Sequence, residues 1–449
     1  MLITHATVVT WGSPNQILDD YALYIENGSI KEIGPSTELI KRITDSPVFD
    51  AESQFVLPGN ICAHTHFYGA FARGMAIPAP SPRDFPEILK KLWWPLDKSL
   101  TYDDIRYSAL VSLVDAVRHG TTLLIDHHAS PNAIDGSLDV VEEAVEQAGV
   151  RAVLCYEVSD RDGPEKAKSG IQENQRFIRK HASVARDSLL AATFGLHASL
   201  TLSDRTLDEC KAAYPQGGFH IHAAEGDADQ VDSLAKSGMR VVNRLQTHGI
   251  LGPRTILAHC VRVDEGEITL LAQTKTRVTH QPRSNMNNGV GTAPIEAMLK
   301  AGIPVGLGND GFTNAMWEEW KAAYLLHKAW HHDPRQMSAT EVIQMAVYNN
   351  ASLAEIFFPG TLLGQIAPGA SADLIFVDFH PFTPLSTDNL SWQIIFGFHE
   401  SMITSTMVGG RFLMKKRQLL TLNEEEISAR ARELAVKVWK RYEDSFSRR

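Results

Sequence analysis

Cysteine is scarce: Cys62, Cys155, Cys210 and Cys260 are the only four in 449 residues, each in an apolar context and none in a CxxC pair. This excludes a disulfide framework and a thiolate zinc site, and it points to reduced thiols in the cytoplasm. Long apolar runs are missing too. No stretch approaches the ~20 residues of a membrane helix, and the opening Met1-Leu2-Ile3-Thr4 alternates like a strand, without the basic and apolar regions of a signal peptide. The expectation is a soluble, cytoplasmic protein with no membrane partner. Positive charge is in deficit, 43 Lys and Arg against 53 Asp and Glu for a net charge of −10. Such a surface repels phosphate backbones and argues against a nucleic-acid partner. Disorder is not indicated: 44% hydrophobic and 21% charged residues are ordinary for a globular enzyme.

The chain is long enough for one large barrel plus an accessory domain. Short alternating runs at 6–9, 21–25 and 30–33 read as β-strands and hairpins, and similar runs return at 372–378 and 406–412. Both ends are therefore expected to share a small β domain, residues 1–57 plus 362–422, of β-sandwich type. Between them, eight apolar runs alternate with helical patterns: 61–63, 122–126, 152–156, 190–196, 218–222, 256–259, 277–280 and 305–307. Eight βα units over residues 58–361 favour an α/β fold of (β/α)8 TIM-barrel type. Residues 423–449 repeat apolar positions at Ile427, Ala431, Leu434, Val438 and Tyr442, an amphipathic helix expected to dock on its own body or on a second subunit.

The chemistry-bearing residues end those runs. The first run closes in His64-Thr65-His66; on a strand, side chains two apart share a face, so both imidazoles can point into a barrel. The fifth closes in His220-Ile221-His222 with Glu225 beyond it, the sixth in His259, and the eighth in Gly308-Asn309-Asp310-Gly311. Barrel strands converge at their C-terminal ends, which makes these distant residues neighbours. Asp310 has an alternative reading as a helix N-cap. Gly289-Val290-Gly291 lacks the third glycine of a dinucleotide-binding turn.

The arrangement resembles the amidohydrolase superfamily, in particular its cytosine deaminase and triazine hydrolase branch. The motifs that carry it are Pro58-Gly59 with His64-Thr65-His66, His119-Gly120-Thr121-Thr122, His222-Ala223-Ala224-Glu225, Ala258-His259-Cys260, Arg283-Ser284-Asn285 and Gly369-Ala370-Ser371-Ala372-Asp373-Leu374. Trp93-Trp94-Pro95-Leu96-Asp97, Asp126-His127-His128 and Asn285-Met286-Asn287-Asn288 are most similar to SsnA-type aminohydrolases. The resemblance implies that His64, His66, His222 and Asp310 bind one divalent ion, with Glu225 and His259 flanking the reacting water. It places His197 near substrate and implies a homodimer. Two-metal members carry a carboxylated lysine at the fourth strand; residues 189–199 contain none, so a single ion is expected. Asp115 stands where nucleoside-type relatives carry Glu, which weighs against ribose recognition.

Three histidines and a carboxylate suit Zn2+, and Fe2+ as well. An ion so bound lowers the pKa of its water from 15.7 toward about 7, making a nucleophile available at neutral pH. Asp310 and Glu225 are the candidate proton carriers and His259 the candidate stabiliser of developing charge. His128, Asn285 and Trp93 join His197 as candidate substrate contacts. The expected reaction is hydrolytic deamination of an amidine-like carbon in a purine, pyrimidine, pterin or triazine-like ring. Hydrolysis of another C–N or a C–Cl bond at the same site, and a non-catalytic barrel scaffold, are the alternatives.

Overall fold

The structure, a computed structural model, describes residues 1–183 and 188–447. The expected runs are parallel strands in it: Asn60–Thr65, Thr121–Asp126, Arg151–Leu154, then a fourth in two pieces, Leu190–Ala192 and Phe194–Ala198, followed by Phe219–Ala223, Ile256–His259, Arg277–His280 and Val305–Leu307. They are the eight strands of a TIM barrel. The first three pair in order with Leu190–Ala192, and Phe194–Ala198 leads the remaining four. At one seam the fourth strand is broken between Ala192 and Phe194, and Val158, beyond the third strand, bridges Leu196 in its second piece; the other joins first strand to eighth, where Thr65 bridges Asp310. At that second seam the amides of Asn309 and Asp310 both donate to the His64 carbonyl, at 3.0 and 3.1 Å.

Gly308 makes that seam possible. A Cβ there would lie 2.6 Å from the backbone N and O of His64, closer than any side chain tolerates. The approach brings the eighth strand's end against the first and sets Asp310 beside the His-x-His pair. Asp310 has φ 57° and His259 φ 74°, so both strand-terminal residues turn in the left-handed region that non-glycine residues rarely adopt. The next helix, Met316–His331, begins on Ala315, so Asp310 caps no helix.

Strands from both chain ends form one nine-stranded sheet with a hydrophobic core of its own, built from residues such as Ile3, Val8, Leu23, Val56, Leu374, Phe376 and Met407. The run at 406–412 is two strands, Ile403–Val408 and Arg411–Lys415. Gly409 and Gly410, both at positive φ, turn between them. Buried Arg151 ties the barrel to this sheet, donating from Nε to Asp373 at 2.7 Å.

The C-terminal helix, Glu424–Ser447, buries all five apolar positions against the chain's own body; the expected residues 448 and 449 lie outside the described part. Its Trp439 Nε1 donates to the Phe71 carbonyl at 2.8 Å, its Arg441 to the Ser99 carbonyl at 2.6 Å, and Tyr442 to the Lys91 carbonyl. The long first loop, which carries Trp93 and Trp94, is thereby fastened from behind. Among the described residues no helix is long and apolar enough to cross a membrane.

Candidate active site

A cavity opens at the C-terminal ends of the barrel strands, lined by His66, His197, His222, Glu225, Asp310 and Trp93 among the expected residues. His66 Nδ1 donates to the His127 carbonyl at 2.6 Å and His222 Nδ1 to the His197 carbonyl at 2.7 Å. Each bond commits Nδ1 as the donor and turns the Nε2 lone pair inward. The two Nε2 atoms then face each other at 3.2 Å, with Asp310 Oδ1 3.0 Å from His66 Nε2. His64 Nε2 lies 3.7 Å from the same oxygen and is buried without a hydrogen-bond partner. His220, expected as structural support, meets His64 Nδ1 at 2.8 Å and holds its ring.

With His66 neutral, acceptors converge with no donor among them, a demand met by a cation or by the proton that Asp310 favours on His66. The donor atoms of His64, His222, His259 and Asp310 lie within 4.8 Å of one another, and so do those of His66, His127, Glu157 and His222. The residues present fit a divalent ion. Electrostatics follow the same geometry. Burial, then the neighbouring imidazoles, push His64 and His222 well below the usual histidine value. Burial would lower His66 as well, but the hydrogen bond and charge of Asp310 win and hold it at about 9. Burial would raise Asp310; His66, His259 and the Ser284 hydroxyl outweigh it and keep the carboxyl ionised.

Glu225 sits opposite Asp310's preference. Burial first, then the charge of Asp310, raise it to about 7 against the opposing pull of His259 and Asn288. Its Oε2 is 3.5 Å from His259 Nε2, and Asn288 donates to its Oε1 at 3.2 Å. His259 Nδ1 is 2.9 Å from Asn285 Oδ1, so Asn285 orients His259 rather than lining the cavity. His128 is fully buried beside Ser130, 2.9 Å away, and is likewise absent from the lining. Asp115 accepts the Asn314 amide at 2.6 Å, outside the cavity.

Other lining residues are Trp94 and Asn288, which belong to the quoted motifs, and Tyr68, Glu157, Arg161 and Asp229, which no motif singles out. Glu157 and Arg161 follow the third strand, where the chain has left the regular ladder and pairs only through two isolated bridges, Tyr156 with His128 and Val158 with Leu196. Asn288 lies one turn beyond Asn285, at the end of the helix Pro282–Asn287.

The amidohydrolase family profile matches residues 55–413, most of the chain. The chain belongs to the amidohydrolase family. It is a hydrolase of carbon–nitrogen bonds, in a family that is metal-dependent. Over 97% of both chains it is 31% identical to a 5'-deoxyadenosine deaminase of Methanosarcina mazei. Over 98% of this chain and 99% of the other, it is 31% identical to a 5-methylthioadenosine/S-adenosylhomocysteine deaminase of Syntrophomonas wolfei. Among solved structures, an adenosine deaminase from Xanthomonas campestris with bound zinc superposes with a TM-score of 0.85 at 23% identity, covering 97% of this chain and 98% of that one. At that identity the likeness speaks for the fold.

Proposed function

We propose that this enzyme is a one-metal aminohydrolase that releases ammonia from an amidine-like carbon of a small nitrogen heterocycle, with an adenine-type ring favoured by the names of its relatives. The observation that carries the reading is the opposition of His66 and His222 Nε2 at 3.2 Å beside Asp310, next to a carboxyl, Glu225, that stays protonated to about 7.

His64, His66, His222 and Asp310 would hold the ion, Zn2+ or Fe2+; when bound it supplies a water acidic enough to attack at neutral pH. Asp310, kept ionised, accepts a proton from that water. Glu225 delivers its own to the ring nitrogen next to the attacked carbon, so charge does not build on the ring. His259, with Nδ1 committed to Asn285, presents Nε2 as a hydrogen-bond acceptor for the hydroxyl of the adding oxygen and holds it in place. The C–N bond to the amino group then breaks as that nitrogen takes the proton held by Asp310, and the hydroxyl proton of the adduct passes to the Glu225 carboxylate, leaving a carbonyl, ammonia and both carboxyls in their starting states. Tyr68, Trp93 and Trp94 wall the cavity with the flat apolar surface that a planar ring needs.

The four buried free thiols support a cytoplasmic location, and the homodimer implied by the resemblance belongs to the same proposal. Elemental analysis of the purified chain, paired with ammonia release across adenine, adenosine, cytosine and aminotriazine substrates, tests the function. One equivalent of metal and ammonia from at least one ring are expected. Ring opening or chloride release without ammonia would replace the deaminase reading.

A further inference from the structure

On the far side of His222 from Glu225 the cavity has a second polar wall, which the hydrolytic chemistry above does not use. Ring centroids run from His259 to His222 at 5.6 Å and from His222 to His197 at 5.6 Å, so His222 divides the two walls. The second wall is made by Glu157 and His197, both lining the cavity.

Its hydrogen-bond polarity is set by neighbours. The Thr201 hydroxyl donates to the Ala198 carbonyl at 3.1 Å and so has a lone pair for His197 Nδ1, 2.6 Å away. His197 therefore carries its proton on Nδ1 and presents a bare Nε2. Glu157 Oε2 lies 3.1 Å from His127 Nδ1, but Oε1 is 3.9 Å from His197 Nε2 and 4.0 Å from Arg161, beyond hydrogen-bond reach of both. Arg161 donates from Nη2 to Asp97, lies 5.6 Å from the Trp94 ring, and pairs with Glu157 by charge without a hydrogen bond. Two acceptors 3.9 Å apart thus face the cavity with no donor between them. One donor atom seated between them reaches both at about 3 Å, an ordinary hydrogen-bond length.

We propose that Glu157, with His197, is the specificity wall of the enzyme, and that it selects substrates carrying hydrogen-bond donors on the edge remote from the attacked carbon. The class is a planar nitrogen heterocycle with either a second amino or ring N–H group or a donor hydroxyl there. The inference rests on the aminohydrolase reading for its orientation of the ring. A site built to bond such a donor discriminates sharply against the analogue that lacks it, because its buried acceptors are then left unpaired.

The test is a cycle between Glu157→Gln and pairs of substrates differing only in the donor: 2,6-diaminopurine against adenine for the amino source, adenosine against 2′,3′-dideoxyadenosine for the hydroxyl source. In the wild-type enzyme the donor-bearing member of one pair is expected to have kcat/KM higher by a factor on the order of 10². In Glu157→Gln that preference falls to a few-fold. Calorimetric binding of the same compounds to Glu225→Gln provides a readout that needs no turnover. Ammonia release with equal loss for both members of each pair overturns the specificity wall and leaves the aminohydrolase standing. Donor-selective binding without ammonia release from any ring overturns the aminohydrolase and leaves the wall. A second equivalent of metal, lost in Glu157→Gln, would assign Glu157 to an ion and overturn the proposal.

Discussion

The two walls of the cavity are built from the same side-chain types and do opposite work. On the Glu225 side a carboxyl is raised to about 7 and keeps a proton to give; on the Glu157 side burial would raise the carboxyl, but the polar groups packed around it outweigh burial and keep it ionised. The difference lies in what each carboxyl faces. Glu225 has Asp310, a second negative charge, close by, and Glu157 is surrounded by imidazoles and a guanidinium. Separating two carboxyl pKa values in this way assigns one to proton transfer and leaves the other to recognition.

Several changes would break or sharpen that contrast. His222→Ala removes the residue shared by both clusters of donor atoms. It is expected to abolish stoichiometric metal and turnover together, as read by elemental analysis and ammonia release. His220→Ala leaves every proposed ligand in place but frees the His64 ring; an orienting partner of a ligand is worth about 10–100-fold in metal affinity, measurable by chelator competition. The pH profile separates the walls next. Glu225 is raised, so its neutral form is present below about 7 and is lost above it. kcat/KM should therefore fall by about tenfold per pH unit on the alkaline side, and Glu157→Gln should leave that limb where it is. The smallest effect is on stability: Gly308→Ala forces a Cβ against the His64 backbone, an overpacking worth about 1–3 kcal/mol, seen as a lowered denaturation midpoint.

Legibility in the sequence also differed between the walls. The eight barrel strands were readable because buried parallel strands are short continuous apolar runs between helical patterns. His64, His66, His222, His259 and Asp310 were readable because each terminates one of those runs, and strand ends converge in a barrel. Glu157 was not, since two further residues and a single bridge separate it from the last regular strand residue, Leu154. His127 and His128 are adjacent, and a one-residue register difference reverses which face a side chain takes; His127 turned to Glu157 and His128 to Ser130. Asn285 and Asn288 exchanged the expected contact because 282–287 is helical, so one residue meets His259 and the other, a turn later, meets Glu225. The split of 406–412 into a hairpin was marked by Gly409-Gly410, a turn signal set against an otherwise strand-like run.

The central claim is that a protonated Glu225 turns a metal-binding cluster into a deaminating one. Glu225→Gln tests it most directly, because Gln keeps the shape and the Asn288 contact but has no proton to transfer. The account predicts one equivalent of divalent metal in both proteins and a kcat for ammonia release lower in the variant by a factor on the order of 10² to 10⁴. A variant that keeps its metal and deaminates at the wild-type rate would contradict it.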